Sequence, residues 1–508
     1  MTEDSTIASG KTFFGHPRGL STLFFTEIWE RFSYYGMRPL LILYMTKKLI
    51  DGGMGLSTPT GTAIVGLYTF GVYALALPGG WIADRLMGQR RAVLLGGLVI
   101  AAGHYTLAVP ATWAFYTGLL LVVLGTGLLK PNVSAIVGDL YSEDEGARRD
   151  AGFTIFYMGI NIGAAVGPLI CGWLFQMNPH WGFGAAGVGM TFGLIQYVMG
   201  QKYLGAAGHL RPAFASRDAQ RESRKKLFIG LAILVAVGLA VAGANASGAA
   251  FSIHLFGRAI VLLPLTLVSF AQFTGFIVFV LAICYFSFVI IYACRDTTEK
   301  KRVALIAILF VGAALFWSGF EQASTAFNLF ARDQTDLVFF GWQMPVTWLQ
   351  SVNPLFIVAL APVVGSLWVM LGAHNPSIGA KFGYGLVLMG TGFFVLAWGS
   401  TFVTEGSRVS PMWLVMTYFF HTVGELSLSP VGLSSVTKLA PERLVGQMMG
   451  TWFMGAALGN LMAGLLAGYI ESMPQAQLFG TVAAFAVGTG VLFFVFKKPI
   501  RWLGAGIE

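Results

Sequence analysis

Charge is scarce in this chain. Asp, Glu, Lys and Arg make up 11% of its 508 residues, where soluble domains carry about 25%, so a water-covered globule is excluded. Cysteine is rarer still: Cys171, Cys284 and Cys294 are the three, and they stand in apolar or span-edge positions without metal-ligand spacing, which leaves packing as their reading. No glycine-rich loop leads into a Gly-Lys-Ser/Thr step, so no ATP site is visible and energy must come from elsewhere. The seven histidines are dispersed, which removes the His/Asp/Glu metal set or Ser-His pair that a membrane-embedded hydrolase needs. Residues 1–20 are polar and lack the apolar core of a signal peptide, so no cleaved leader is expected.

What the chain has in quantity is apolar sequence, 56% of it, in runs of about 20 residues that recur to the C-terminus. Such runs imply membrane-spanning helices; a barrel would show alternation over about 10 residues. Fourteen spans are expected, near 22–48, 60–83, 92–110, 113–138, 151–176, 182–204, 227–247, 260–293, 303–331, 344–373, 383–403, 411–436, 445–471 and 477–496. Segments 1–20, 84–91, 142–150, 201–228, 295–302, 375–381, 438–444 and 497–508 hold 24 of the 32 Lys and Arg. These are the cytoplasmic loops by the positive-inside rule, and both termini fall on that side. The net charge of +9 is thereby explained without a nucleic-acid partner.

The charged stretches 201–226 and 295–302 bracket two spans, and removing that pair leaves six on each side. This is the two-bundle layout of the major-facilitator fold, whose sites lie at the membrane midplane between the halves. The expected segments are a cytoplasmic tail (1–20), a six-helix bundle (21–204), a linker with two additional spans (205–301), a second six-helix bundle (302–498) and a short tail (499–508). The bracketed pair carries no intramembrane charge, which gives it a peripheral role.

Within the first span, Glu27, Glu30, Arg31, Tyr34, Tyr35 and Arg38 fall on one helical stripe. Each charge at the centre of a span costs about 2.5–3.5 kcal/mol on insertion scales, so such residues normally line a wet cavity. Two carboxylates compete there for one guanidinium, an arrangement that lets one hold a proton; the alternative is a buried ion network that pins helix packing. Elsewhere Lys130 precedes Pro131 and Asn132, and Tyr157 and Asn161 stand one turn apart. Trp317, Glu321, Ser324 and Asn328 form a further stripe, Asn353 precedes Pro354, and Glu425 lies near Ser427, Ser429 and Pro430. Cations (Arg38, Lys130) in the first half and anions (Glu321, Glu425) in the second suit a zwitterionic ligand, or they pair with each other. Asp84, Arg85 and Arg90 sit among turn glycines at a span end, a pattern resembling the major-facilitator loop with a conformational role.

Taken together, Glu27-x-x-Glu30-Arg31-Phe32, Tyr34-Tyr35-Gly36-Met37-Arg38, Gly125-Thr-Gly-Leu-Leu-Lys130-Pro-Asn132, Phe156-Tyr157-x-x-Ile160-Asn161-x-Gly163 and Gly424-Glu425-Leu426-x-x-Ser429-Pro430 resemble the proton-dependent oligopeptide transporters. The resemblance runs over essentially the whole chain. It implies proton coupling through Glu27, Glu30 and Arg31, with Glu321 paired to Arg38. Arg38, Lys130 and Asn161, with Tyr157, would face a peptide carboxylate, Glu425 and Asn353, near Ser429, the amine, and Tyr34, Tyr35, Tyr73, Trp317 and Trp452 the side chains. The extra pair of spans matches bacterial members and places the chain in the inner (plasma) membrane, as a monomer without cofactor. Di- and tripeptides and protons are the expected partners; another small solute, such as nitrate or a peptide-like drug, is the alternative. No histidine stands in the second span, where some members carry a proton site, and His421 matches no such site.

Overall fold

The computed structural model describes residues 12–142, 144–210, 214, 216–246, 252–255, 258–261, 266–404 and 407–507. The outermost tail residues and parts of the expected linker lie outside them. The chain runs α1 (Gly19–Thr46), α2 (Thr58–Ala74), α3 (Ala76–Ile82), α4 (Gln89–Leu107), α5 (Thr112–Asp139), α6 (Gly146–Met177), α7 (Pro179–Gly200), α8 (Arg217–Ala246) and α9 (Leu267–Phe288). It continues through α10 (Thr297–Phe320), α11 (Ala326–Gln334), α12 (Val352–Met370), α13 (Ile378–Ser400), α14 (Met412–Leu439), α15 (Val445–Ala467), α16 (Gln475–Val495) and α17 (Lys497–Gly504). Ten helical stretches among the described residues are long and apolar enough to cross a membrane. Of the other expected spans, α1, α4, α8 and α14, the helices α1, α4 and α14 carry more charged and polar side chains.

Three spans differ from the sequence reading. The second is broken at Leu75 into α2 and α3. The span expected from residue 260 begins only at Leu267, where the Thr266 side chain accepts the Ser269 amide hydrogen and caps the helix; before it, Ser252–Leu255 pairs antiparallel with Arg258–Val261. The ninth breaks after Phe320 into a tight turn over Glu321–Ser324, and Thr325 leaves helical geometry (φ −124°, ψ −88°). Trp317, Glu321, Ser324 and Asn328 therefore do not share one unbroken helical stripe.

The chain divides into two compact units. Residues 1–38 and 74–247 form the first. Here α4 and α5 meet backbone to backbone: a Cβ at Gly96 would fall 2.6 Å from the Gly125 carbonyl oxygen, so only glycine permits this approach. Leu20, Leu23, Val93, Ile100, Leu129, Ile136, Phe156, Met190 and Tyr197 fill its core.

Residues 39–73 and 248–508 form the second unit. The sequence-based segments cut the chain differently, because they keep 39–73 with the first bundle. Inside the second unit that segment is held by named bonds. Asn328 donates to the Pro39 carbonyl (2.7 Å), Arg332 to the Thr46 hydroxyl (2.7 Å), and Thr58 donates to Glu471 (2.5 Å). Gly66 of α2 lies against α15, where its Cβ would fall 3.1 Å from the Leu461 carbonyl oxygen. The chain passes from one unit to the other within α1, at the step from Arg38 to Pro39.

Candidate functional site

In the first unit the stripe on α1 forms as its spacing predicts. Arg31 Nε lies 3.1 Å from Glu27 and bonds Glu30 as well. All three side chains are buried. Removing either carboxylate leaves the guanidinium with one partner, and removing the arginine leaves two buried carboxylates facing each other. The guanidinium carbon stands 5.2 Å from the Tyr34 ring centre and 5.9 Å from that of Tyr35, and Arg38 stands 5.9 Å from Tyr34. The two tyrosines meet edge to face, 5.1 Å between centroids. Cationic groups thus alternate with aromatic rings along one helix face, an attractive geometry at these distances.

What fixes the stripe is the close approach of α6. A Cβ at Gly163 would meet the Arg31 Cβ at 2.8 Å and the Phe32 nitrogen at 2.9 Å. The Gly159-Ile-Asn-Ile-Gly163 stretch therefore does what small residues do at helix interfaces, and it carries Asn161 in beside α1. Asn161 is buried and donates to the Tyr157 carbonyl (3.0 Å), while the Tyr157 ring is partly exposed. Lys130 on α5 is half-buried and lies within electrostatic reach of Glu27. Its neighbour Asn132 donates to the Leu128 carbonyl (2.6 Å), supplying a local partner beside the helix-interrupting Pro131.

At the other end of α3, Asp84 accepts a long hydrogen bond from Gln89 (3.5 Å) and Arg85 stands over the Phe214 ring at 4.5 Å. Arg90 donates to the Ala207 and Gly205 carbonyls (2.6 and 2.5 Å). Arg85 and Arg90 clasp the stretch that follows α7, and none of the three joins the α1 stripe. Gly88 makes the turn at φ +80°, where a Cβ would fall 2.8 Å from the Leu210 nitrogen.

In the second unit Glu425 of α14 meets Asn353 of α12, whose amide donates to the Thr422 hydroxyl (2.9 Å) and to Glu425 (3.4 Å). Gln350, one turn before Asn353, donates to the Ala323 carbonyl (2.6 Å) and to the Tyr418 hydroxyl (3.0 Å). This ties α12 and α14 to the turn that holds Glu321, and Glu321 lies within electrostatic reach of Glu425. Gln350, Tyr418 and Thr422 escaped the sequence reading, although Tyr418 and Thr422 stand seven and three residues before Glu425, on its helix face. Trp317 packs edge to face on Phe320 (5.2 Å) and is placed by Gly459, whose Cβ would fall 2.6 Å from the Trp317 Cβ. Trp452 is buried against Gly432 and Phe382. Ser429 is half-buried beside Pro430, and Tyr73 lies near the end of α2. His421 bonds the Met389 carbonyl (3.1 Å) among Phe320, Phe327 and Phe393.

Fourteen long helical stretches among the described residues, with charged side chains buried on α1 and at Glu321, define a multi-pass membrane protein of the major-facilitator fold. The model of the POT family matches residues 90–484, and the chain belongs to that family. It is 40% identical over 484 residues to the peptide transporter YePEPT of Yersinia enterocolitica, covering 93% of this chain and 91% of that one. It is 36% identical over 500 residues to a di-/tripeptide transporter of Lactococcus lactis, covering 96% and 97%. Among solved structures, a peptide transporter POT in complex with alafosfalin superposes with a TM-score of 0.86 at 40% identity over 97% of each chain. A POT family transporter in complex with 5-aminolevulinic acid gives 0.86 at 34%, covering 96% and 98%.

Proposed function

We propose that this protein is a proton-coupled symporter that imports di- and tripeptides by alternating access. The observation that carries the proposal is the buried Glu27–Arg31–Glu30 set, in which two carboxylates share one guanidinium on a membrane-spanning helix. A carboxylate that takes a proton releases its share of the guanidinium, and one that loses the proton recovers it. Proton occupancy thereby changes what α1 holds, which is the requirement for coupling. Lys130, Arg38 and Asn161, with Tyr157 beside them, read the peptide carboxylate. Glu425, steadied by Asn353, reads the amine, with Ser429 nearby. Tyr34, Tyr35, Tyr73, Trp317 and Trp452 contact side chains, and Glu321 joins the proton path through Arg38. Asp84, Arg85 and Arg90 control the rate of the conformational cycle.

The peptide transporters named above support the substrate class. The proton is the coupling ion, no cofactor takes part, and the monomer in the bacterial inner membrane, with both termini cytoplasmic, is the working form. Dipeptide uptake into proteoliposomes, with and without an inward proton gradient, tests the reading. Accumulation above the outside concentration is expected only with the gradient, and uptake indifferent to it refutes symport. A second reading, a small solute other than a peptide, is favoured by the likeness to the transporter holding 5-aminolevulinic acid. Competition by that compound without any by dipeptides would select it.

A further inference from the structure

We propose that the first unit carries a binding site for one anionic phospholipid, in the groove between the start of α1 and the end of α7. The groove has a volume of about 810 Å3 and a cationic mouth. Arg18 lies 3.7 Å over the Tyr203 ring, and the Lys202 amine stands 5.2 Å from the same ring. Both cations are exposed, and among the described residues no acidic side chain lines the groove. Behind the mouth the wall turns apolar. Phe192, Ile195 and Met199, spaced i, i+3, i+7 along one face of α7, are 51%, 51% and 69% exposed, with Trp29 of α1 opposite.

The groove is preformed. Thr22 donates to the Gly200 carbonyl (3.2 Å) and Thr26 to the Gln196 side chain (2.9 Å), so α1 and α7 are pinned along its floor. Two cations on an aromatic ring at one end and a mostly apolar wall behind them match a lipid with an anionic head and an acyl chain. Free phosphate has no use for the wall, and a neutral lipid has none for the cations. The positive-inside count places this mouth at the cytoplasmic leaflet, where anionic headgroups attract basic clusters and bind basic pockets between helices.

The test is native mass spectrometry of the full chain, released from detergent micelles that contain phosphatidylglycerol or phosphatidylcholine with identical acyl chains. One phosphatidylglycerol should be retained far more often than phosphatidylcholine. The double variant Arg18→Gln/Lys202→Gln should weaken retention about 30-fold, equivalent to ~2 kcal/mol at about 1 kcal/mol per basic residue. Met199→Trp, which fills the apolar end, should lower retention with both cations intact. Arg221→Gln/Lys225→Gln removes the same charge from α8 and should change nothing; equal loss there marks diffuse attraction and overturns the site. So does unchanged retention in the Arg18/Lys202 pair, or displacement of the lipid by glycerol phosphate at equal concentration, which would mark a phosphate site.

Discussion

Exchanging Glu425 for glutamine removes a charge and keeps the shape of the side chain, which makes it a clean probe of what that carboxylate does. In the resting geometry Asn353 is a weak partner, 3.4 Å from one carboxylate oxygen, with its shorter bond going to Thr422 at 2.9 Å. A glutamine can keep a contact with Asn353, so the packing of α12 on α14 survives the change. What is lost is the attraction for an ammonium. Charge-assisted hydrogen bonds are worth about 1.5–3 kcal/mol, so a free dipeptide should bind Glu425→Gln roughly 10- to 100-fold more weakly. Its N-acetylated form has no ammonium to lose and should change by less than about threefold on the same scale. The mirror experiment is Lys130→Met, in which the carboxyl-amidated peptide should be the insensitive one. Competition binding in detergent measures both, with the melting temperature of each variant as the check on folding. Equal weakening of free and acetylated peptides by Glu425→Gln refutes the assignment and leaves Glu425 a structural or coupling group.

Four further outcomes follow from the geometry. Glu27→Gln and Glu30→Gln should each abolish gradient-driven uptake and leave peptide counterflow, which needs no net proton movement; normal concentration of peptide by both variants would return the set to a packing role. Asp84→Asn should lower the transport rate with unchanged peptide affinity, since Asp84 faces Gln89 and not the α1 stripe; lost binding in a folded variant would contradict that. Gly163→Ala forces α6 away from Arg31 and should cost about 1–3 kcal/mol in stability, read as a lowered melting temperature, as overpacking does; an unchanged melt would show that the interface yields freely. His16, before the first span, bonds the Tyr141 hydroxyl at 3.0 Å, and burial, then the nearby Arg148, lowers its pKa from 6.5. A base depressed in the folded state contributes stability above 6.5 and loses it as the pH falls further, so hydrogen exchange near residues 12–18 should quicken on acidification below 6.5, and His16→Phe should flatten that response.

Much of the architecture was legible because the membrane imposes a coarse, repetitive signal. Each of the fourteen expected spans falls on helix among the described residues, two of them broken, and the α1 stripe was visible since a charge costs so much there that four of them at helical spacing stand out. The breaks were not legible. Leu75 sits in sequence as apolar as its surroundings, and Glu321–Ser324, though polar, keeps the spacing of a continuous helical stripe. Part of the α12–α14 network escaped for a related reason: Gln350, Tyr418 and Thr422 carry no motif, and only the fold shows that they join Asn353 and Glu425. The division of the chain at Arg38 and Pro39 has no compositional mark at all, because it arises from bonds such as Asn328 to Pro39 that join residues 289 positions apart.

That division matters to anyone who wishes to make the halves separately. A cut in the charged stretch after α7 looks natural, yet the N-terminal fragment would carry residues 39–73 away from Leu461, Glu471 and Arg332. It would expose the face of α2 that carries Gly66 and leave Leu461 and Gly464 of α15 uncovered in the other piece. Coexpressed fragments should therefore restore the second unit only by bringing the end of α1 and all of α2 back to α11 and α15.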